Sequence, residues 1–440
     1  MNELLAVMTG LLAGTITGVI PGAGVLVAMI IATPMLMGFD ILQLLLFYMS
    51  LASMVQFTGT IPAVYLGVPG ETNSLPAVIE GTKFTKKGMA KLAIGISALG
   101  SVVGSIIAVA LTFFLITILI DQITVFFSNT LKFYLYLIII LFCLTVYNKG
   151  NILINAFLCG IGFILSLPGE SDIAQGFRYT FGIKDLEFGF PLITILIGML
   201  IVPTIFSMLK YNIKVNTVDD RTNFKTAIAY FFRKCMPSSV RGGVVGYLCG
   251  FVPGVSTVLA TNASYSIEKK LNKLNPGKLL VSSETANNSG QFSSMLPLLL
   301  IGIPITGSEV VLYSLLIDAG WSPFQFDTVE LNAELIYKKI VPWFVFANFV
   351  GLCVAWPLAK KTLAILALPT HYMVAILAIS MLILNSYLGY LDYRLVFYSL
   401  CLIVFGTVGY FLRKYESLPL IFMFILGNNI ESVLYRQWLI

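Results

Sequence analysis

The sequence predicts an all-α polytopic membrane protein: two inverted-topology repeats with Gly/Pro-broken or re-entrant helices, in roughly 10–12 hydrophobic segments. Three observations predict it. The composition is too apolar for a soluble chain, with 58% of the 440 residues hydrophobic and 11% charged, against about 25% charged in soluble domains. Charged residues stand far enough apart to leave membrane-length runs between them. Two motifs recur in one order at nearly one offset, with opposite charge in the loops beside them.

A charged side chain costs several kcal/mol at the centre of a bilayer, so charges mark the ends of spans. In the first half the uncharged runs are 4–39, 41–70, 92–120, 133–148, 150–169 and 188–209. In the second they are 242–267, 285–308, 340–359, 362–391 and 395–412, with a last stretch after Glu416. A spanning helix needs ~20 apolar residues. Gly and Pro cut several of these runs, at "TGVIPGAG", "CGFVPGVS", "GVPGETN" and "GIPITGS". Repeated alternating strands are absent from the sequence, which argues against a barrel. The start, "MNELLAVMTG", lacks a basic leader region and reads as a retained first helix.

Mean hydropathy of +0.91 excludes an ordinary cytosolic enzyme, a disordered chain and a nucleic-acid binder. The net charge of +6 is what the cytoplasmic loops of a membrane protein carry. A single histidine, His371, excludes a two-histidine metal site and is expected at an interface. Cys143, Cys159, Cys235, Cys249, Cys353 and Cys401 read as small core or lipid-phase side chains, without disulfides or metal. Glu71, Glu80, Glu284 and Glu309 flank the broken segments; the preferred reading makes them loop residues at the interface, and the other makes them proton-carrying intramembrane acids. The stretch 207–241 holds Lys210, Lys214, Arg221, Lys225, Arg233, Lys234 and Arg241 against Asp219 and Asp220. The expected division is therefore a first transmembrane repeat at 1–210, a basic cytoplasmic linker at 211–240 and a second repeat at 241–440.

The repeat itself rests on two pairs of segments. "GVIPGAG" at 18–24 matches "GFVPGVS" at 250–256, and "QFTGTIPAVYLGVP" at 56–69 matches "QFSSMLPLLLIGIP" at 291–304. In the second pair Gln56/Gln291, Phe57/Phe292, Pro62/Pro297, Gly67/Gly302 and Pro69/Pro304 coincide. Loop charge gives the relative orientation. Lys83, Lys86, Lys87 and Lys91 in loop 82–91 face Asp318, Asp327, Glu330 and Glu334 in the matching stretch 318–334. Lys269, Lys270, Lys273 and Lys278 answer to Asp40, and Lys360 with Lys361 to Asp121. With basic loops in the cytoplasm, the halves insert in opposite senses. Such a pair with broken helices at matching places is the architecture of secondary transporters, whose site lies between the repeats near the midplane.

The same motifs resemble a known family. "GLLAGTITGVIPGAG" and "YLGVPGETNSLPAVIEGTKFTKKGMAKLAIGISALGSVVG" are similar to the first half of the large membrane subunit of tripartite tricarboxylate transporters, the TctA family. "GGVVGYLCGFVPGVSTVLATNASYSIEKK", "SSETANNSGQFSSMLPLLLIGIP" and "FGTVGYFLRKYESLPLIFMFILGNNIESVLYR" are similar to its second half. The resemblance covers nearly the whole chain, and "ETANN" followed by "LPLLLIGIP" is its most specific part. It implies a cation-coupled importer of di- or tricarboxylates in the bacterial inner membrane. It implies a periplasmic solute-binding protein and a small four-helix membrane subunit as partners, leaves a homodimer open, and implies no cofactor beyond a coupling ion, Na+ or H+. The sequence departs from the family pattern at Ser256, Ile305 and Glu71, and is somewhat short.

A carboxylate entering a low-dielectric site must be paired or hydrogen-bonded, and the long apolar runs hold no Lys or Arg. Backbone N–H groups at the ends of broken helices are the alternative. Gly22, Gly24 and Gly254 are the first candidates, with Asn73, Ser74, Asn287, Asn288 and Ser289 as neutral substrate-binding groups. Carbonyls freed at Pro21 and Pro253, with Thr58 and Thr257, are candidates for Na+, which prefers oxygen ligands as other hard cations do. The division between substrate and cation stays open, no catalytic residue is expected, and the competing readings are a channel and a lipid-phase enzyme.

Overall fold

The computed structural model describes residues 3–119, 129–171, 176–209, 220, 222–253, 256–272, 275–321, 334–361 and 370–438. It is an all-α polytopic membrane protein. Five helices are long and apolar enough to cross a bilayer: Ile41–Leu66, Ala90–Ile116, Ile336–Ala359, Val374–Leu391 and Leu395–Leu412. Six shorter apolar helices accompany them among the described residues. The chain gathers into two compact units, Met1–Asp121 with Met208–Ala375, and Gln122–Ser207 with Ile376–Ile440. Each unit draws on both sides of the expected linker.

The first unit contains α1 (Glu3–Val19), α2 (Gly24–Leu36), α3 (Ile41–Thr58), α4 (Thr60–Leu66), α5 (Leu75–Thr85) and α6 (Ala90–Leu119) from the first half. Asp40 starts α3 through a capping box with Gln43, satisfying otherwise orphaned N–H groups. From the second half come α11 (Phe224–Tyr230), α12 (Met236–Gly250), α13 (Ser256–Asn272), α14 (Pro276–Ile301), α15 (Gly307–Asp318) and α16 (Val341–Lys361). The second unit holds α7 (Asn129–Val146), α8 (Ile152–Ser166), α9 (Leu192–Leu196), α10 (Val202–Met208), most of α17 (Thr370–Leu391), α18 (Leu395–Leu412) and α19 (Leu418–Trp438).

Two glycine seams organise the first unit. Gly10, Gly14 and Gly18 lie one turn apart on α1, and a Cβ on Gly10 or Gly14 would come within 2.6 Å of the carbonyl oxygens of Phe47 and Leu51 on α3. A Cβ on Gly18 would collide with the Thr58 hydroxyl. Gly242, Gly246 and Gly250 on α12 meet Ser282, Ala286 and Ser293 on α14 in the same way. Without Cβ atoms the helix backbones touch, which maximises dispersion where lipid supplies no hydrophobic drive. The two seams are built from residues that correspond at the spacing of the sequence repeat.

The helix directions follow from the contacts. α6 begins where the Lys91 N–H meets Asp220 at 2.6 Å and passes Phe113, whose carbonyl takes the Tyr337 hydroxyl at 3.2 Å. At that second end Glu3, at the head of α1, meets Lys339 at 2.8 Å and Trp343 at 3.1 Å. α1 and α3 run in parallel away from it. α14 runs parallel to α6, with Val281 against Gly100 and Thr285 against Gly104, and so starts from the opposite end. Lys83, Lys86, Lys87, Lys91, Lys225, Lys270 and Lys278 belong to the end where α6 and α14 start.

Two expectations change. Residues 224–240, assigned to a linker, are helical from Phe224, and Ala227, Phe231 and Cys235 pack with Leu92, Ala93 and Ile96. Their apolar positions recur at helical spacing between the basic ones, so a charge count hid an amphipathic helix. Lys210, Lys214, Asp219 and Arg221 lie outside the described residues, as do Asp121, Lys273, Asp327 and Glu330. Glu80, Glu284 and Glu309 are buried, not interfacial loop residues. Glu284 sits inside α14, a helix too rich in Ser, Thr and Asn to look like a span, yet enclosed by other helices that satisfy its polar groups.

In the second unit α8 packs on α19, where a Cβ on Gly162 would strike the Leu420 backbone. A short hairpin pairs Gly169–Ser171 with Gly176–Arg178, and Arg178 makes a two-pronged ion pair with Glu431. Thr194 donates to Asn385 at 2.7 Å. Leu153, Phe157, Ile164, Ile383, Ile403 and Phe411 are exposed on helices, as lipid-facing side chains are.

Candidate functional site

The site forms where two helical hairpins break. α3 stops at Thr58, Gly59 separates it from α4, and α4 ends at Gly67 in the left-handed conformation (φ 67°, ψ 25°). α14 ends at Gly302 with nearly the same angles (φ 72°, ψ 22°). Each break leads to a new helix start with matched capping. The Glu71 N–H donates to Ser74 Oγ at 3.0 Å, and the Thr306 N–H donates to Glu309 Oε2 at 3.0 Å. Residues 71 and 306 correspond in the repeat, as do 74 and 309.

The two breaks join through buried polar side chains. Gln56 Nε2 donates to Gln291 Oε1 at 3.5 Å, so two equivalent residues meet directly. Gln291 Nε2 donates to Tyr48 Oη at 3.2 Å, and Tyr48 shares a hydrogen bond with Ser308 at 3.1 Å. On the other side Asn287 Nδ2 donates to Gln56 Oε1. Asn73 Nδ2 donates to Asn287 Oδ1 at 2.9 Å and to Glu71 Oε2 at 3.1 Å.

A small cavity with room for about one water molecule opens between these groups. Val55, Gln56, Gly59, Thr60, Glu71, Asn73, Ser74, Glu284 and Asn287 line it. None of its lining residues is basic. The buried carboxylates divide by partner. Glu80 pairs with Lys83 at 2.7 Å and takes the Tyr265 hydroxyl at 2.8 Å; Glu268 takes Arg241 at 2.9 Å and Ser238 at 2.8 Å. Glu309 takes Ser294 at 2.6 Å and the Ile305 and Thr306 N–H groups at 2.7 and 3.0 Å. Glu284 takes one hydroxyl, Thr60 Oγ1 at 2.8 Å.

The candidates chosen from sequence separate accordingly. Asn73, Ser74 and Asn287 line the cavity together. Gly22 and Gly24 adjoin it through the 70–71 turn: the Gly22 N–H donates to Gly70 O at 3.0 Å, and the Val25 N–H donates to Glu71 Oε1 at 2.6 Å. Glu71 therefore holds the start of α2, and a Cβ on Gly24 would run into its carboxylate. Asn288 reaches Asn348 at 3.2 Å and Ser289 reaches Gly243 O at 2.7 Å; at 100° per residue they leave α14 in other directions. Thr58 donates to Gly14 O and Met54 O, a packing role on α1. Pro21 is buried beside the first turn, Pro253 and Thr257 are half-buried, and Gly254 lies outside the described residues.

Glu284, Thr60 and Gln56 were not chosen from sequence as site residues. A polar stripe at Glu284, Asn287, Gln291 and Ser294, spaced three and four apart on one helix face, is the signal that finds Glu284, and the Gln56/Gln291 match in the repeat is the one that finds Gln56.

The family model described as the tripartite tricarboxylate transporter TctA family matches residues 4–424. The chain belongs to this family. It is thus a membrane subunit of a tripartite transporter and not an enzyme, and a TctA-family chain works with further components. An uncharacterised 52.8 kDa protein from the TAR-I ttuC' 3' region of Agrobacterium vitis is 27% identical over 98% of this chain and 86% of its own length. An uncharacterised protein of Methanocaldococcus jannaschii is 27% identical over 70% of this chain and 71% of its own. A second Agrobacterium vitis protein, from the TAR-II ttuC' 3' region, is 31% identical over 44% of this chain and 81% of its own. No solved structure matches the TctA-family chain.

Proposed function

We propose that this chain is the large transmembrane subunit of a cation-coupled, binding-protein-dependent secondary transporter that imports small di- or tricarboxylates by alternating access. Its partners are a periplasmic solute-binding protein and a small four-helix membrane subunit, and its place is the bacterial inner membrane. The observation that carries the reading is the meeting of two equivalent broken hairpins, at Gln56 and Gln291, around a buried polar cavity. Broken helices facing each other in mid-membrane are how transporters present backbone and neutral side chains to a ligand.

The two halves act as inverted-topology repeats. This is supported by α3 and α14, matched in sequence, starting from opposite ends of the first unit and converging. The lysine-rich end faces the cytoplasm, as the positive-inside rule asks. A di- or tricarboxylate does not fit a space the size of one water, so substrate enters when the α4–α5 hairpin swings from α14. Asn73, Ser74 and Asn287, with the Gly22–Gly24 turn, then offer donors to its carboxylates.

The test is uptake of radiolabelled succinate and citrate by cells carrying this chain and its two companions. Uptake is expected to need all three proteins and an ion gradient, and Asn73→Ala with Asn287→Ala is expected to lower it at least tenfold at equal protein level. Uptake that persists without this chain or without any gradient refutes the proposal.

A further inference from the structure

We infer that the cavity beneath the α3–α4 break is a sodium site whose principal ligand is the Glu284 carboxylate. The inference deepens the proposed transport function and rests on it for its meaning as the coupling site. Glu284 lies inside α14 with 3% of its surface exposed. Its Oε2 takes the Thr60 hydroxyl, while Oε1 receives no hydrogen bond among the described residues and the side chain lines the cavity. Among the described residues of the first unit, every other carboxylate buried to this degree is answered: Glu80 by Lys83, Glu268 by Arg241, Glu309 by three close donors. A carboxylate withdrawn from water needs a partner of that kind.

The surroundings define the partner. Gln56, Thr60, Asn73, Ser74 and Asn287 bring oxygen-bearing side chains, and the Gly59 backbone lies against the turn, with a Cβ on Gly70 only 3.0 Å from Gly59 O. A lining with two carboxylates, two hydroxyls and three amides is rich in the oxygen ligands a hard cation takes. With two carboxylates and no base in the lining, the closed cavity attracts a cation, and a substrate carboxylate can approach Asn73, Ser74 and Asn287 only once a cation offsets that charge. The space holds one water, which is the size of a bare monovalent ion and far below that of a carboxylate substrate. Glu71 already takes the Val25 N–H at the start of α2 on one oxygen and the Asn73 amide on the other, whereas Glu284 has one oxygen without a hydrogen bond among the described residues, so Glu284 is the carboxylate with a coordinating atom to spare. Sodium held there ties α14 of the second half to Thr60 and the 71–74 turn of the first, and so couples ion binding to closure of the hairpin that admits substrate.

The experiment is equilibrium binding of 22Na+ to the purified full chain in nanodiscs, without any carboxylate present. Saturable binding is expected, displaced by NaCl and not by KCl. Glu284→Gln is expected to weaken it at least tenfold, and the near-isosteric Thr60→Val about tenfold, on protein that elutes as a single species. Absence of saturable binding by the unaltered chain overturns the site, as does unchanged affinity in either variant. If Glu284→Gln does not fold, Thr60→Val alone decides. Sodium binding lost in the variants, beside carboxylate uptake that ignores sodium, supports the site and removes only sodium coupling from the proposed function. Sodium-driven uptake by a chain that binds no sodium overturns the site and leaves that function standing.

Discussion

Gly246→Ala tests the backbone seam between α12 and α14. A Cβ at this position would stand 2.5 Å from Ala286 Cα and 2.7 Å from its carbonyl carbon, where ordinary contact begins at 3.4 Å. The obstacle is backbone, not the end of a flexible side chain, so the helices must part by about 1 Å. A gap of that size forfeits roughly a quarter to a half of each dispersion contact along the seam. Overpacking of this kind costs about 1–3 kcal/mol. The better helix propensity of Ala returns up to about 1 kcal/mol, and Gly160→Ala measures that gain alone, since nothing lies within 4 Å of a Cβ there. At about 2–4 °C per kcal/mol, Gly246→Ala is expected to melt roughly 2–12 °C below Gly160→Ala at a fixed scan rate. Gly14→Ala, facing Leu51 O at 2.6 Å, is expected to act alike, and the two to add. A Gly246→Ala protein that melts level with or above Gly160→Ala would refute the close backbone approach.

Glu268 is fully buried while its partner Arg241 is 40% exposed, so solvent screens part of the pair. Glu268→Gln is expected to cost about 1–2 kcal/mol, read as a lower melting midpoint, with Arg241→Gln added to it recovering part of the loss. In the second unit the two-pronged Arg178–Glu431 pair fixes the hairpin to α19, with side chains 15% and 25% exposed. Glu431→Gln is expected to cost about 1–3 kcal/mol and to speed proteolysis near residue 178, while the exchanged pair Arg178→Glu with Glu431→Arg restores resistance in part.

Much of this architecture is written in the sequence at the level of composition. The apolar runs located the helices, and the "PGAG" and "GVPG" breaks located the turns, because Gly and Pro act locally on the backbone. The seam glycines are as visible, at Gly10, Gly14, Gly18 and again at Gly242, Gly246, Gly250, but their meaning depends on which helix they face. The charge-divider rule failed at Glu284 and Glu309. It treats every acid as bound for water, whereas these two take the hydroxyls of Thr60 and Ser294 from other helices, which only the tertiary arrangement brings within reach. That Asn73 and Asn287 would meet other polar groups was legible because amides are costly in lipid without partners. Thr60 was not, since a lone Thr in a helix reads equally well as a packing residue.

The account depends most on the two halves entering the membrane in opposite senses, so that α3 and α14 approach Gln56 and Gln291 from opposite faces. The most direct measurement is labelling of single cysteines, Lys87→Cys after α5 and Asp318→Cys at the end of α15, in a chain whose native cysteines are replaced. A membrane-impermeant maleimide is applied to right-side-out and inverted vesicles. Position 87 is expected to react only in inverted vesicles and position 318 only in right-side-out ones; reaction of both from one face would contradict the account.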